Sequence, residues 1–210
     1  MPEFTLVIGN KNTSSWSLRP WLLMKHAGIA FDEAHVRLRQ PDTRQQILQH
    51  SPSGRIPVLK HKGQVIWDSL AIAEYLAEQF PQQHLWPTDS AARAQARCIS
   101  AEMHSGFQAL RTHMPMDILG SHPGQGHDQE GVAGDTARVR EIWRDARTKG
   151  GADGPFLFGA FSIADAMYAP VVSRFRTYGV ACDAICSAYM EAVWNLPAMQ
   201  EWVEGARHVI

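Results

Sequence analysis

The sequence predicts a small α/β domain followed by an all-helical domain. Strand-like and helix-like hydrophobic patterns alternate through about residue 80, and beyond that point the strand patterns largely disappear. The 210 residues, 45% of them apolar, are enough to form either one domain or two. We therefore expect an α/β domain over residues 1–81, a linker over 82–89 and a helical domain over 90–210.

The elements of the first half can be assigned in order. Phe4–Ile8 is a short, β-branched apolar run, which predicts a buried strand. The patterns that follow predict helix, strand, helix, strand, strand and helix, at 17–28, 31–38, 43–50, 58–61, 65–67 and 68–80. The fourth and fifth of these flank a Lys62-Gly63 turn, which indicates an antiparallel hairpin. Because strand–helix–strand units give parallel pairs, the sheet should be mixed.

The second half is predicted to be helical. Long helical patterns cover 90–114, 131–149 and 162–178, and further ones follow towards the C-terminus. Glycines and prolines predict a long loop over 115–130 and a second break over 150–155.

Composition and charge argue against several classes of protein. The net charge is −1, from 20 basic and 21 acidic residues, so we expect no nucleic-acid or anionic-membrane partner. Cys98, Cys182 and Cys186 are too few for a disulfide scaffold and lack metal-site spacing, so we expect free thiols and no metal. Glu3 stands where a signal peptide would have a basic residue, and no apolar run has membrane-spanning length. A cytoplasmic location is the resulting expectation.

Pro57 follows the turn at Gly54 and directly precedes a predicted strand. An Ile56–Pro57 bond can be cis, which would turn the Ile56 backbone out of the sheet. Its free N–H and C=O could then pair with an extended peptide ligand. A proline that simply begins a strand explains the same residues equally well.

Asp68 and Ser69 lie at a strand-to-helix junction, where either residue is a common N-cap. The same junction offers free N–H groups and the positive end of a helix dipole, which together bind carboxylates. Asp68 could pair with an α-amino group while Ser69 holds the neighbouring α-carboxylate. A γ-glutamyl peptide carries both groups.

Residues 13–17, with the sequence TSSWS, lie between the first strand and the first helix. This is the carboxyl end of a strand, where open α/β sheets bind their ligands. One of the serines can serve as a helix cap. A hydroxyl near the helix N-terminus would also favour the thiolate form of a thiol bound there.

Together these segments resemble the cytosolic glutathione transferase family over nearly the whole chain. Residues 14–19 (SSWSLR) are similar to the S-S-C-S-x-R signature of the zeta class, and residues 55–59 (RIPVL) to the cis-proline loop. Residues 68–76 (DSLAIAEYL) resemble the third helix of the family, with its acid–serine pair. Residues 161–165 (FSIAD) resemble its capping box, in which Ser162 and Asp165 cap a helix.

The resemblance implies a thioredoxin-like N-terminal domain followed by an all-helical C-terminal bundle, usually assembled as a homodimer. It implies reduced glutathione as co-substrate and Ser14 as the catalytic donor to its sulfur, although Ser15 and Ser17 offer hydroxyls nearby. The residues expected to bind glutathione are Ser15, Trp16, Ile56, Val58, Asp68 and Ser69.

Trp16 departs from the zeta signature, which has cysteine at this position. Because that class includes maleylacetoacetate isomerases, the substitution puts isomerase activity in doubt. The indole would favour an apolar or aromatic co-substrate, or it would pack in the core. We therefore expect a transferase that conjugates glutathione to a small, largely apolar electrophile. A glutathione-dependent isomerase or peroxidase, or a non-catalytic binding protein of the same fold, is the alternative.

The pocket for the electrophile is expected between the Ser14 loop and the helix that begins at residue 90. The candidates are Met103, His104, Phe107, Arg111, Met114 and Met116. Such a stripe at helical spacing is more often part of the core. The histidines of the 115–130 region lack metal-site spacing, so a mobile rim is expected there.

Overall fold

The computed structural model describes residues 2–150 and 154–208. Its N-terminal part contains four strands, namely β1 (Phe4–Ile8), β2 (Phe31–His35), β3 (Val58–His61) and β4 (Gln64–Trp67). Their order in the sheet is β2-β1-β3-β4, with β1 parallel to β2 and β3 antiparallel to both of its neighbours. The mixed sheet and the hairpin are therefore confirmed.

Three helices cover this sheet: α1 (Ser15–His26), α2 (Thr43–Leu48) and α3 (Ser69–Gln79). Alternate residues of β1 point to opposite faces, as the period of a strand requires. Leu6 and Ile8 join the main core with α1 and α3, whereas Val7 packs with Ile47 of α2. The first helix begins two residues earlier than predicted because Ser14 is its N-cap.

Six helices follow: α4 (Ser90–Ser105), α5 (Gln108–His113), α6 (Val132–Gly150), α7 (Ile163–Tyr178), α8 (Ala184–Trp194) and α9 (Pro197–Arg207). A single 3-10 turn, Pro81–Gln83, lies between α3 and α4. α7 is the central helix, since all but one of its residues are buried. Trp143 of α6 packs 5.1 Å from Phe175 and 5.0 Å from Tyr189, measured between ring centroids. The all-helical second half is confirmed.

The single helix predicted over 90–114 is wrong, because it is broken at Gly106 and Phe107. Gly106 is extended and Phe107 has a left-handed φ of 59°, so the chain leaves the helical path at both residues. Arg111 of α5 donates through Nε to the carbonyl of Gly106 at 2.9 Å and also to that of Met103. These bonds satisfy carbonyl groups that the end of α4 leaves without helical partners.

The predicted long loop over 115–130 contains neither helix nor strand, as expected. Asn12 holds its first part, since its amide donates to Asp117 at 2.8 Å and accepts from the Leu119 N–H at 3.0 Å. Thr177 at the end of α7 donates to the Asp117 carbonyl at 2.8 Å. The loop is thus anchored to the segment that carries Ser14.

The capping box ahead of α7 is confirmed. The Asp165 carboxylate accepts from the Ser162 N–H at 2.8 Å and from the Leu157 N–H at 3.0 Å. Of the break predicted at 150–155, residues 151–153 lie outside the described residues, and Gly150 is the last residue of α6. Within 2–150 and 154–208, none of the helices is both long and apolar enough to cross a membrane.

Candidate functional site

A cavity of about 950 Å³ lies between the thioredoxin-like part and the end of α4. Its walls come from α1, the loop before β3, the junction of β4 with α3, and α4. The lining residues are Trp16, Ser53, Arg55, Ile56, Pro57, Trp67, Asp68, Ser69, His104 and Ser105. Four of the seven predicted site residues are among them, and Ser14, Ser15 and Val58 are not.

The loop before β3 contains the cis peptide bond that the sequence analysis considered. The Ile56–Pro57 bond is cis, and the β3 ladder begins only at Val58. Gly9 passes close beneath this loop, where a Cβ atom would come within 2.8 Å of Ile56 Cδ1. The side chain of Val58 is fully buried beside Val7. Any contact of Val58 with the co-substrate would therefore be made by its backbone, and this contact remains a prediction.

Asp68 caps α3 and also lines the cavity, while its contact with a ligand remains a prediction. Its Oδ1 accepts from the N–H groups of Leu70 at 2.9 Å and Ala71 at 3.4 Å, so it is the N-cap of α3. Its backbone has a left-handed φ of 75°, which is uncommon for a residue with a side chain. The second oxygen, Oδ2, lies 3.1 Å from Nε2 of His104 on α4. One carboxylate therefore caps a helix and faces the cavity.

His104 joins the two halves of the protein at this cavity. Its ring meets Trp16 edge-on, with 5.3 Å between the centroids. Burial lowers the pKa of His104, the carboxylate of Asp68 opposes this shift, and the guanidinium groups of Arg19 and Arg111 lower the pKa further. The sequence identified His104 as a pocket candidate, and its pairing with Asp68 was not foreseen.

Ser69, the first residue of α3, rests on a buried guanidinium group. Its Oγ accepts from Nη1 of Arg19 at 3.3 Å, and Ser69 is 1% exposed. The Arg19 guanidinium also lies 4.2 Å from the centre of the Trp16 ring. Sequence reasoning assigned Arg19 no role, although a charged residue within the apolar run of α1 was a visible signal.

Ser14 lies at the carboxyl end of β1, in the loop that leads into α1. Its Oγ donates to Oγ of Ser17 at 2.8 Å, and that oxygen accepts from the Gly9 N–H at 3.1 Å. Ser14 is 6% exposed, and Ser17 is fully buried. The hydroxyl of Ser14 is therefore at the outer end of this hydrogen-bond chain, close to the α1 N-terminus.

Most of the candidates for an electrophile pocket belong to the core. Met103, Phe107, Met114 and Met116 are all buried in the main hydrophobic cluster. Arg111 differs, because its guanidinium lies 4.8 Å from the Trp16 ring centre. Of the stripe read from the sequence, only His104 lines the cavity.

Two family models match the chain. Residues 13–79 match the N-terminal domain of glutathione S-transferase, and residues 129–205 match its C-terminal domain. The chain belongs to the glutathione S-transferase family. The zeta-like signature around Ser14 agrees with the similarity of the chain to maleylacetoacetate isomerases, which belong to the zeta class.

Among similar members of the glutathione S-transferase family, a probable maleylacetoacetate isomerase of Caenorhabditis elegans is 33% identical over 109 residues. That match covers 52% of this chain and only 50% of the C. elegans protein. Maleylacetoacetate isomerase of Rattus norvegicus is 29% identical over 175 residues, which cover 81% of this chain and 77% of the rat protein.

Solved structures agree with this family assignment. The crystal structure of a glutathione transferase homolog from Burkholderia, with bound glutathione, has a TM-score of 0.72 at 25% identity. It covers 97% of both chains. The thioredoxin-like domain followed by a helical domain is therefore the glutathione transferase fold.

Proposed function

We propose that this chain is a glutathione transferase that binds the γ-glutamyl group of reduced glutathione at the start of α3. The proposal is carried by the adjacent side chains of Asp68 and Ser69 on the cavity wall. The Asp68 carboxylate offers a partner for the α-amino group of the ligand. Ser69 and the α3 N-terminus offer donors for its α-carboxylate.

The residues present fit this ligand. A γ-glutamyl group needs one anionic and one cationic partner. The Asp68 carboxylate lines the cavity, and the buried guanidinium of Arg19 lies behind Ser69, to which it donates. Ile56 lines the cavity outside the β3 ladder, so its backbone is placed to pair with an extended peptide. The cavity volume, about 950 Å³, leaves room for a second molecule.

Ser14 is the proposed donor to the sulfur of bound glutathione. When bound, glutathione supplies the nucleophilic thiol. The Ser14 hydroxyl can turn from Ser17 towards a ligand, and the N-terminus of α1 favours a negative charge beside it. Ser17 is the poorer candidate because its oxygen is fully buried and already accepts from the backbone of Gly9. Ser15 lies one residue further into α1.

The co-substrate is proposed to be a small, largely apolar electrophile. The apolar side chains of Trp16, Ile56, Pro57 and Trp67 line the cavity beside the γ-glutamyl site. Their rings and aliphatic groups would receive an apolar molecule that displaces water from the cavity.

Retention on immobilised glutathione, followed by an aryl-halide conjugation assay, tests this function. We expect the wild type to be retained and to conjugate, and Ser14→Ala to be retained with much lower turnover. Ser15→Ala is the matched control that removes a neighbouring hydroxyl. Absence of retention together with absence of Ser14-dependent turnover would contradict the proposal. Retention with no turnover would favour a non-catalytic binding protein.

A glutathione-dependent isomerase is the second candidate, since the relatives from C. elegans and rat are named as maleylacetoacetate isomerases. Trp16 argues against it, because the indole replaces the cysteine of the signature and packs against Arg19. A maleyl-type substrate and cumene hydroperoxide, assayed with glutathione, separate isomerase and peroxidase activity from conjugation. We expect conjugation to be the fastest of the three reactions.

A cytoplasmic homodimer is part of the same proposal. Trp67 and Val65 on the edge strand β4 are 45% and 37% exposed, which leaves apolar surface for a second copy of the chain. Light scattering coupled to gel filtration measures the molar mass of the protein in solution and thus its oligomeric state. A monomer at micromolar concentration would contradict the homodimer.

A further inference from the structure

The turn that carries Ser14 is tied to the helical half of the chain through Asn12. The side chain of Asn12 donates from Nδ2 to Oδ1 of Asp117 at 2.8 Å and accepts at Oδ1 from the Leu119 N–H at 3.0 Å. Its backbone carbonyl accepts from the Ile118 N–H at 3.1 Å. Asn12 therefore makes three hydrogen bonds to three consecutive residues of the long loop that follows α5.

The loop segment that holds Asn12 is itself fixed. Ile118 is 5% exposed and belongs to the main hydrophobic cluster. The Asp117 carbonyl accepts from Oγ1 of Thr177 at the end of α7, and Oδ2 of Asp117 lies 2.8 Å from Nε2 of His122. The hydrogen bonds from His122 and Asn12 lower the pKa of Asp117, against the opposing effect of burial. The carboxylate is therefore charged at neutral pH and is a strong acceptor for the Asn12 amide.

The turn from Asn10 to Ser14 transmits this restraint to the hydroxyl. The Ser14 N–H donates to the Asn10 carbonyl at 2.9 Å, and the Asn12 N–H donates to the Asn10 side chain at 2.8 Å. The helical half holds the turn at a second point, because Nε1 of the fully buried Trp202 in α9 donates to the Lys11 carbonyl at 2.8 Å. A displacement of the turn would therefore displace Ser14 as well.

The place of the Ser14 hydroxyl decides how well it can stabilise a thiolate. Hydrogen bonds weaken steeply with distance and angle, and a misplacement of about 1 Å can cost an active site much of its rate. We propose that Asn12 is a positioning residue that, through its bonds to residues 117–119, holds the Ser14 hydroxyl beside the sulfur of bound glutathione. Asn12 acts through Ser14 and does not line the cavity. This inference rests on the function proposed above.

An exchange of the two side chains tests this role. Asn12→Asp removes the donor and sets a second carboxylate against Asp117, whereas the double variant with Asp117→Asn restores a donor–acceptor pair in which the two groups have changed places. Ultraviolet titration gives the pKa of the thiol in the glutathione complex. We expect Asn12→Asp to move this pKa about half a unit or more towards that of free glutathione, and the double variant to return it close to the wild-type value.

Binding of the rest of the ligand should hardly change. S-methylglutathione carries no ionisable thiol, so its Kd reports on the cavity without the contribution of the thiolate. We expect this Kd to change by less than about threefold in Asn12→Asp, because Asp68 and Ser69 lie in a different part of the cavity wall. A large loss of S-methylglutathione binding with an unchanged thiol pKa would show a general structural role and would overturn the inference.

The dependence on Ser14 is tested with Asn12→Ala, which removes the amide without adding a charge. In the wild-type background it should raise the thiol pKa, and in the Ser14→Ala background it should have no further effect, because no hydroxyl is left to position. Equal shifts in the two backgrounds would overturn the inference. The same comparison with Asn12→Asp excludes a direct effect of the added carboxylate on the thiol, since that effect would persist without Ser14.

Asn195→Asp is the matched control. Asn195 also donates to a carboxylate, that of Glu191 at 3.4 Å, and lies at the exposed end of α8. The same chemical change at this place should leave the thiol pKa at its wild-type value.

The outcome also separates this inference from the function on which it rests. If Asn12→Asp does not fold, Asn12→Ala alone decides the point. A thiol pKa that changes in Ser14→Ala but in neither variant of Asn12 would overturn the positioning role and leave the proposed function intact. If the wild type binds no glutathione, or if Ser14→Ala leaves the thiol pKa unchanged, the proposed function of the site or of Ser14 fails, and the role of Asn12 fails with it.

Discussion

The Asp68 carboxylate at the start of α3 lies 3.1 Å from Nε2 of His104 near the end of α4. This pair crosses the cavity between the two parts of the chain, at the place proposed for the γ-glutamyl amino group. A ligand amine must therefore share the carboxylate with His104 or displace it. We therefore expect the affinity of the site for glutathione to depend on both residues.

Asp68→Asn separates the charge of Asp68 from its capping role. Asparagine is as good an N-cap as aspartate, so the thermal midpoint should change little. Glutathione affinity should fall about tenfold or more, because the ligand amine loses its ionic partner. Calorimetric titration and thermal unfolding measure the two effects. Asp68→Ala is the contrast, since it should also lose about 1 kcal/mol of stability. Unchanged affinity in Asp68→Asn would remove the carboxylate from the binding site.

His104 should make glutathione binding depend on pH. Burial lowers the pKa of His104, while Asp68 opposes the shift and Arg19 and Arg111 add to it. His104 is thus neutral at neutral pH and becomes charged only below its ordinary value of 6.5. The charged ring then competes with the ligand amine for Asp68, so affinity should fall as the pH is lowered through that range.

His104→Gln should flatten this dependence, since glutamine does not titrate. Ser105→Ala, which changes the neighbouring cavity residue, is the control and should keep the wild-type profile. Titrations between pH 5 and 8 would decide the point. A pH profile that is the same in His104→Gln and in the wild type would assign the dependence to another group.

Asp165 should contribute a distinct pH dependence to stability. Burial raises the pKa of Asp165 from 3.8 to about 6, against the hydrogen bonds from Leu157 and Ser162 that lower it. Between these two values the folded protein binds more protons than the unfolded chain, so the free energy of unfolding falls as the pH rises. The contribution of Asp165 to the free energy of unfolding is therefore favourable below this pH range and lost above about pH 6.

Denaturant unfolding of the wild type and Asp165→Asn over pH 4 to 7 measures this contribution. Relative to Asp165→Asn, the free energy of unfolding of the wild type should decrease as the pH rises to about 6, and the difference should be constant above that pH. Asp165→Ala should cost at least about 2 kcal/mol at any pH, because buried N–H groups lose their acceptor. A difference between wild type and Asp165→Asn that is independent of pH would contradict the raised pKa.

Ser14 should lower the pKa of the bound thiol. Ultraviolet absorbance of the thiolate, titrated with pH, gives this pKa in the complex. We expect it to lie about one unit or more below that of free glutathione in the wild type, and to move back towards it in Ser14→Ala. Ser17→Ala removes the acceptor of the Ser14 hydroxyl and should have the smaller effect. Equal thiol pKa values in the wild type and Ser14→Ala would contradict the proposed role.

Local signals predicted much of the fold and part of the site. Hydrophobic periodicity and turn-forming residues are local features of the sequence. The Lys62-Gly63 hairpin and the Ser162–Asp165 cap could therefore be predicted from the sequence. Asp68 as the N-cap of α3 was predictable because capping residues follow a local pattern, while the ligand site at the same position remains a prediction.

Features that depend on residues far apart in the sequence could not be predicted. Arg19 and Ser69 are 50 positions apart, and Asn12 and Asp117 are 105 apart, so no local pattern links them. The break at Phe107 was missed because the hydrophobic period continues across it, while the left-handed turn is held by Arg111. Arg19 stood out in the sequence as a charged residue within an apolar run, but its contact with Ser69 depends on the packing of α1 against α3.

A crystal structure with bound glutathione tests the central claim most directly. The α-amino group should lie within hydrogen-bond distance of Asp68, the α-carboxylate at Ser69 and the α3 N-terminus, and the sulfur beside the Ser14 hydroxyl. Glutathione bound with its γ-glutamyl group away from Asp68 and Ser69, or a cavity that stays free of it at saturating concentration, would contradict the account.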